Sequence, residues 1–288
     1  MYELLRLTEH DYVIDCPTKI GVVLTGEKDA VLIDSGSDKD AGKRILRVIG
    51  EQGWELKTVL ITHSHADHIG GCRFLQDKTG CGIYAAEMEW ACASYPLLEP
   101  TVLYGGLPFA DLRHKFMLAQ QARISPLSEA PLPEGMQVLS LPGHSGDMTG
   151  FLTAEGTAFL GDCVFSEETA EKYGIPYLWD PAASIATLDK LSSIPAQRFV
   201  PAHAPILTEI GPLAEVNRRA IHAVEDRILS ILTRPMSFET ILKAVFEAYG
   251  LRMNAQQYVL VGSTVRSYLS SLSMQGRIGY EFTDNEML

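Results

Sequence analysis

The sequence predicts a mixed α/β (α+β) fold with a smaller, mostly helical C-terminal part. Over roughly the first two thirds, short aliphatic runs of strand length alternate with helix-period patterns. Beyond Pro212 the strand-like runs give way to long amphipathic stretches. The chain has 288 residues, 46% hydrophobic and 21% charged, enough for one large domain plus a small appendix. The expected division is 1–211 for the main domain and 212–288 for the appendix.

Val22–Thr25 and Ala30–Ile33 bracket a Gly-Glu-Lys-Asp turn and read as a hairpin. Ala41–Gln52 carries Ile45, Leu46, Val48 and Ile49 at helical spacing and ends near Gly53. Thr58–Thr62 reads as a buried strand, Ile69–Lys78 as a helix and Gly82–Ala85 as another strand. From Tyr95 to Pro133 six prolines and the Gly105–Gly106 pair break the pattern, leaving one expected helix near 109–122. An irregular excursion of this length usually forms a lid or substrate loop. Strands return at Val138–Leu141, Gly150–Thr153, Thr157–Leu160 and Arg198–Pro201. Tyr173, Tyr177 and Trp179, in a Gly/Pro-rich segment, are candidates for the substrate mouth.

In the appendix, Leu213, Val216, Ala220, Val224, Ile228 and Ile231 mark one face of a long helix. Ser237 can cap a second helix that Gly250 closes. A third, from about Asn254 to Met274, is expected to break near Gly262, and Arg277–Phe282 alternates like a strand. Helices followed by a ribbon suggest a winged-helix-like unit. Its eight basic and eight acidic residues cancel, which favours packing or dimerisation over DNA reading.

The net charge of −12 argues against general polyanion binding, so nucleic acid is an unexpected partner and a small molecule, even an anionic one, the expected one. The apolar stretches are too short to span a bilayer. Met-Tyr-Glu-Leu-Leu-Arg has neither the basic start nor the apolar core of a signal peptide, so the cytoplasm is expected. The five cysteines, with no Cys-x-x-Cys pair, read as reduced thiols.

The chemistry concentrates in residues 63–68, His-Ser-His-Ala-Asp-His, directly after the Thr58–Thr62 strand. A chance match to His-x-His-x-Asp-His in such a chain is expected on the order of 10⁻⁴ to 10⁻³ times. In a turning loop His63 and His65 can point the same way, whereas Asp67 and His68, being adjacent, must diverge and can serve a second ion. His144, Asp162 and His203 each sit at a predicted strand end beside Gly, Pro or Ala, where a rigid sheet can present side chains to one point. Imidazoles with carboxylates suit Zn²⁺, with Fe or Mn as alternatives.

With Leu-Ile-Asp-Ser-Gly at 32–36, the 63–68 segment, Pro-Gly-His-Ser-Gly at 142–146, Leu-Gly-Asp at 160–162 and Pro-Ala-His at 201–203, the chain resembles the metallo-β-lactamase-fold superfamily, which includes glyoxalase II. The resemblance spans roughly residues 1–211 and implies a four-layer αββα sandwich. It implies that His63, His65 and His144 hold one metal, that Asp67, His68 and His203 hold another, and that Asp162 bridges the two with a water or hydroxide. Asp67 and Asp162 would stand beside the activated oxygen, and Asp34 would steady the histidine loop. Two divalent ions against two aspartates and a hydroxide leave a charge of about +1, suited to activating water and stabilising an oxyanion.

The implied function is dinuclear hydrolysis of a small ester, thioester or lactone. Alternatives within the same fold are a phosphodiesterase or ribonuclease and a mononuclear-iron sulfur dioxygenase. A flavodiiron oxidoreductase fits poorly, because that pattern has Glu where this chain has His65. β-Lactam hydrolysis fits poorly as well, since the superfamily's zinc β-lactamases lack the aspartate found here at 162.

Overall fold

The computed structural model describes residues 2–288. The N-terminal strands β1 (Glu3–Arg6), β2 (Asp11–Asp15), β3 (Ile20–Thr25) and β4 (Asp29–Ile33) form an antiparallel meander. Helix α1 (Lys39–Glu51) follows, started by the Asp38 side chain, which accepts from the amides of Asp40 and Ala41. Next come β5 (Glu55–Leu60), the short α2 (Ala66–Ile69), α3 (Cys72–Thr79), β6 (Gly82–Ala85), α4 (Glu87–Ser94), α5 (Leu98–Tyr104) and β7 (Ser125–Pro126). Strands β4 to β7 run parallel, completing a seven-stranded sheet in sequential order.

A second, four-stranded sheet contains β8 (Gln137–Ser140), β9 (Thr149–Leu152) and β10 (Thr157–Phe165). After α6 (Glu167–Tyr173) and α7 (Pro181–Leu191), β11 (Arg198–His203) joins its far edge parallel to β10. The chain ends in α8 (Gly211–Ile231), α9 (Phe238–Ala248), α10 (Ala255–Met274) and a ribbon of β12 (Phe282–Thr283) with β13 (Glu286–Met287).

Side-chain alternation explains why these layers stack. In β3 and β4, Val22 and Leu32 face α1 and α3 in a cluster with Ile45, Ile49 and Leu75. Their neighbours Val23, Val31 and Ile33 face the other way, against Phe151, Phe159 and Val200 of the second sheet. In that sheet Ala158, Leu160 and Phe199 alternate back onto α7 and α8, through Leu188, Leu191, Ile221 and Ile228. Each central strand is therefore apolar on both faces, and the layers read helix, sheet, sheet, helix.

Three sequence expectations fail locally. No helix covers 109–122: α5 forms earlier and closes at Gly105, and 110–112 makes a single 3-10 turn. The apolar residues there, Leu112 and Met117, are buried against Leu103 and Val259, so tertiary packing produced the pattern that resembles helical periodicity. Helix α10 runs unbroken through Gly262, because Val261, Val265, Tyr268 and Leu272 bury one face and Val259 packs on the opposite side. That burial outweighs the roughly 1 kcal/mol propensity cost of one glycine. The terminal ribbon forms at 282–287 rather than 277–282, turning at Asp284 and Asn285, both with positive φ.

One close approach fixes where the 63–68 loop lies. A Cβ on Gly71 would sit 2.2 Å from the Ser35 carbonyl oxygen, and Ser35 in turn holds the His68 carbonyl through its amide and hydroxyl, each at 2.8 Å. Gly71→Ala is expected to destabilise the protein by about 1–3 kcal/mol. The denaturant midpoint measures it, and a change below about 0.5 kcal/mol would show that the Ser35 segment yields freely.

Candidate metal centre

The site forms where the C-terminal ends of β4, β5, β10 and β11 meet. Asp34 follows β4 with φ of 68°, a left-handed conformation that a short polar side chain tolerates. Its carboxylate accepts from the Thr62 amide, the Thr62 hydroxyl and His68 Nδ1, all at 2.8 Å. One buried acid thus ties both ends of the His63–His68 loop. His65 precedes the first turn of α2, which places Asp67 and His68 on that turn. Asp67 Oδ2 lies 3.6 Å from His68 Nε2. The adjacent pair therefore converges at its tips instead of diverging, because the longer imidazole reaches across the turn.

His144 sits in the loop between β8 and β9, where Gly143 has φ of 135° and a Cβ would fall 2.3 Å from Ser184 Oγ. Asp162 is buried in the irregular second half of β10, and His203 ends β11. Asp162 Oδ1 is 3.2 Å from His68 Nε2, while its Oδ2 is 3.4 Å from His203 Nε2 and 3.6 Å from His144 Nε2. All seven expected side chains converge. The ligand atoms of His63, His65 and His144 lie within 4.8 Å of one another, as do those of Asp67, His68 and His203, and those of His63, His68 and Asp162.

The tautomers follow from the outer partners. His144 Nδ1 faces the Tyr177 carbonyl and His203 Nδ1 faces the Pro17 carbonyl, each at 3.1 Å. A carbonyl only accepts, so both rings carry the proton on Nδ1 and turn Nε2 inward. Burial, reinforced by neighbouring histidines, holds His63 well below its usual range. Burial also lowers His65 to about 4 and His144 to about 3. Three neutral rings thus aim nitrogens at one point, with His65 Nδ1 3.0 Å from both His63 Nε2 and His144 Nε2.

The other side of the site is more ionic. Burial works against charge on His203, but Asp162 and Asp67 overcome it and raise the ring to about 10. Burial opposes ionisation of Asp162 too, and His203 and His68 nevertheless hold it well below the carboxylate range. His68 Nε2 and Asp162 Oδ1 are buried with no well-formed hydrogen bond, although 3.2 Å apart. Convergent lone pairs and orphaned buried polar atoms are what a cation relieves, so this donor set fits metal.

A cavity of about 840 Å³ opens onto His65, Asp67, His144, Asp162 and His203. Its walls include Glu99 of α5, Phe116 and Met117 of the excursion, Tyr173 and Tyr177, and Leu260 of α10. Of the three aromatic candidates, Trp179 does not line it; its amide donates to the Gly143 carbonyl. Burial, with Asp67 and Glu89 nearby, pushes Glu99 well above the carboxylate range. Sequence reading missed Glu99, Glu89 and Thr18, whose hydroxyl donates to Asp67 Oδ2 at 3.1 Å. Glu89 carried no distinguishing signal, since the run 85–93 also holds Glu87.

The sequence model of the metallo-beta-lactamase superfamily matches residues 14–203. The chain belongs to the metallo-beta-lactamase superfamily. Among similar proteins, a hydroxyacylglutathione hydrolase of Albidiferax ferrireducens is 27% identical over 189 residues, 64% of this chain and 61% of that one. The hydroxyacylglutathione hydrolase GloC of Haemophilus influenzae is 31% identical over 142 residues, 48% of this chain and 63% of that one. The matches thus span less than two thirds of these relatives. In three dimensions, a metallo-beta-lactamase family protein of Thermus thermophilus covers 99% of this chain and is itself covered over 96%, with a TM-score of 0.71 at 18% identity. A beta-lactamase domain protein of Burkholderia ambifaria, covered over 93%, gives 0.70 at 17% identity over 99% of this chain. These likenesses establish the αββα fold of the superfamily. No helix among the described residues is long and apolar enough to cross a membrane.

The shifted imidazoles give this superfamily member a pH signature. His65 and His144 stay neutral where unfolded histidines, near 6.5, already take up protons. Their stabilisation of the metal-free fold is complete above about pH 6.5 and is lost as pH falls towards 4. His203 runs oppositely: its contribution is complete below pH 6.5 and is lost as pH rises through about 10. The thermal midpoint of metal-free H65Q/H144Q should therefore fall less than wild type between pH 7 and 5. Parallel curves would refute that assignment.

Proposed function

We propose that this chain is a dinuclear metal-dependent hydrolase of small ester, thioester or lactone substrates, with zinc as the metal. His63, His65 and His144 would hold one ion and Asp67, His68 and His203 the other, with Asp162 between them. Residues 1–211 supply every ligand, and 212–288 form an appendix whose α10 reaches the cavity wall. The observation that carries the reading is the meeting of three neutral imidazoles at 3.0 Å spacings beside an orphaned buried carboxylate oxygen. Nitrogen-rich ligands with carboxylates favour zinc.

Bound divalent cations supply Lewis acidity, polarising a carbonyl oxygen and making water acidic near neutral pH. The chain's own groups do the rest. Asp162, nearly inaccessible, holds the two halves of the site in register. Asp67, with its side chain 38% exposed, is the acid open to the cavity. The Thr18 hydroxyl and His203 Nε2 fix its Oδ2. Burial opposes its charge, but His68 and His203 keep it ionised, so it can orient an attacking water by accepting a hydrogen bond. Phe116, Met117, Tyr177 and Leu260 exclude solvent around a substrate's apolar part. The relatives named hydroxyacylglutathione hydrolase support a thioester among the candidate substrates.

The test is a panel of thioesters, lactones, bis-p-nitrophenyl phosphate and nitrocefin, run on protein of measured metal content. Thioester or lactone turnover should dominate. His65→Ala and Asp162→Ala should each reduce it at least about a hundredfold while circular dichroism stays native. Full turnover in both variants, or a wild-type protein that binds no metal, would sink the proposal.

A further inference from the structure

Glu89 has no place in the scheme above, yet it is the most heavily engaged carboxylate near the site. It lies on α4, 3% exposed. Its Oε2 accepts from the Ser64 amide at 2.8 Å and the Ser64 hydroxyl at 2.7 Å. Its Oε1 accepts from the Ser145 hydroxyl at 2.7 Å and the Asp147 amide at 3.1 Å. Asp147 returns the contact, its Oδ2 accepting from the Met88 amide at 3.0 Å. The helix is itself pinned by Trp90, whose indole donates to the Ile124 carbonyl at 2.8 Å.

The bonded residues are telling. Ser64 stands between His63 and His65, and Ser145 follows His144. Those three histidines form one of the two donor groups, and they come from loops on different sheets, after β5 and before β9. Among the described residues, Glu89 is the side chain from outside the two loops that hydrogen-bonds directly to both. Asp34, by contrast, bonds at the two ends of the 63–68 loop, at Thr62 and at His68 Nδ1.

We propose that Glu89 is a positioning residue that joins the 63–65 and 144–147 loops and thereby sets the metal affinity of the three-histidine group, whose members come from both loops. This rests on the metal-centre reading above. The three imidazole nitrogens meet at 3.0 Å spacings from two separate loops, so their spacing depends on what holds those loops together. A buried acceptor with four short donor contacts imposes it. Replacing the acid leaves several buried N–H and O–H groups unpartnered, and the two loops no longer share a fixed point.

Two measurements on the full chain test this. In the first, hydrogen exchange of metal-free Glu89→Gln should rise together in peptides covering 62–68 and 142–147. Ser145→Ala, a milder change, should release 142–147 alone. Exchange unchanged in both loops, or raised in one loop of E89Q, overturns the proposal. The second measures zinc affinity by competition with a chromophoric chelator in two backgrounds. In D67A/H203A, which keeps the three-histidine group, E89Q should weaken zinc about 10–100-fold. In H65A/H144A, which keeps the other group, it should change affinity less than about threefold. Equal losses in both backgrounds would mean general destabilisation and overturn the proposal. A wild-type protein that binds no zinc sinks the proposed function, and the exchange measurement then decides alone whether Glu89 couples the loops.

Discussion

The carboxylate of Asp34 is the point from which the site is built. It takes three hydrogen bonds, two from Thr62 at the start of the histidine loop and one from His68 at its end. A six-residue loop pinned at both ends has few conformations left, so its ordering entropy is lost on folding, before any ligand arrives. Asp34 achieves this because β4 and β5 are parallel neighbours in register from Val31/Thr58 to Ile33/Leu60, which sets their ends side by side. The chain leaves β4 in a left-handed turn and exposes the acid to its neighbour's first free amide. Sheet register, one backbone conformation and one side chain together decide where four donors begin.

Much of this was legible in the sequence, for a physical reason. Donor chemistry admits few residue types, so His63, His65, Asp67, His68, His144, Asp162 and His203 stand out at strand ends. The apolar runs Val22–Thr25 and Ala30–Ile33, read as a hairpin, likewise pair as β3 and β4. The groups that orient the donors were not legible. His144 and His203 are held by the backbone carbonyls of Tyr177 and Pro17, and every residue has such a carbonyl. Glu89 contributes through contacts 25 to 58 residues away along the chain. The misplaced helix at 109–122 failed for the same reason, since Leu112 and Met117 bury themselves against α5 and α10 rather than within a helix of their own.

The site is expensive to hold together without a ligand. Burial strips His63, His65 and His144 of protons, and their nitrogens face one another instead of water. Across from them, Asp67 and Asp162 draw charge onto His203. The metal-free centre is thus divided between a cluster of neutral imidazoles and a compact ion cluster. A cation takes up the nitrogens of the first and competes with the proton on the second. Outer hydrogen bonds from rigid strands and from α4 keep the geometry from relaxing in the meantime.

Selectivity has to come from elsewhere, because the donor groups are common to any reaction such a centre performs. The cavity draws Glu99 from α5, Met117 from the irregular segment and Leu260 from α10, so much of its wall comes from parts of the chain outside the two sheets. These parts are coupled. Met117 and Leu112 pack on Val259, one residue from Leu260, and Val261 belongs to the same apolar cluster as Leu160 and Phe199 of the second sheet. The C-terminal helices therefore serve two layers at once, completing the core beneath β10 and closing the cavity above Asp162. A substitution at the α10–excursion contact would alter the shape of the cavity while leaving every metal donor in place. Substrate preference can diverge in this fold without any change to the centre itself.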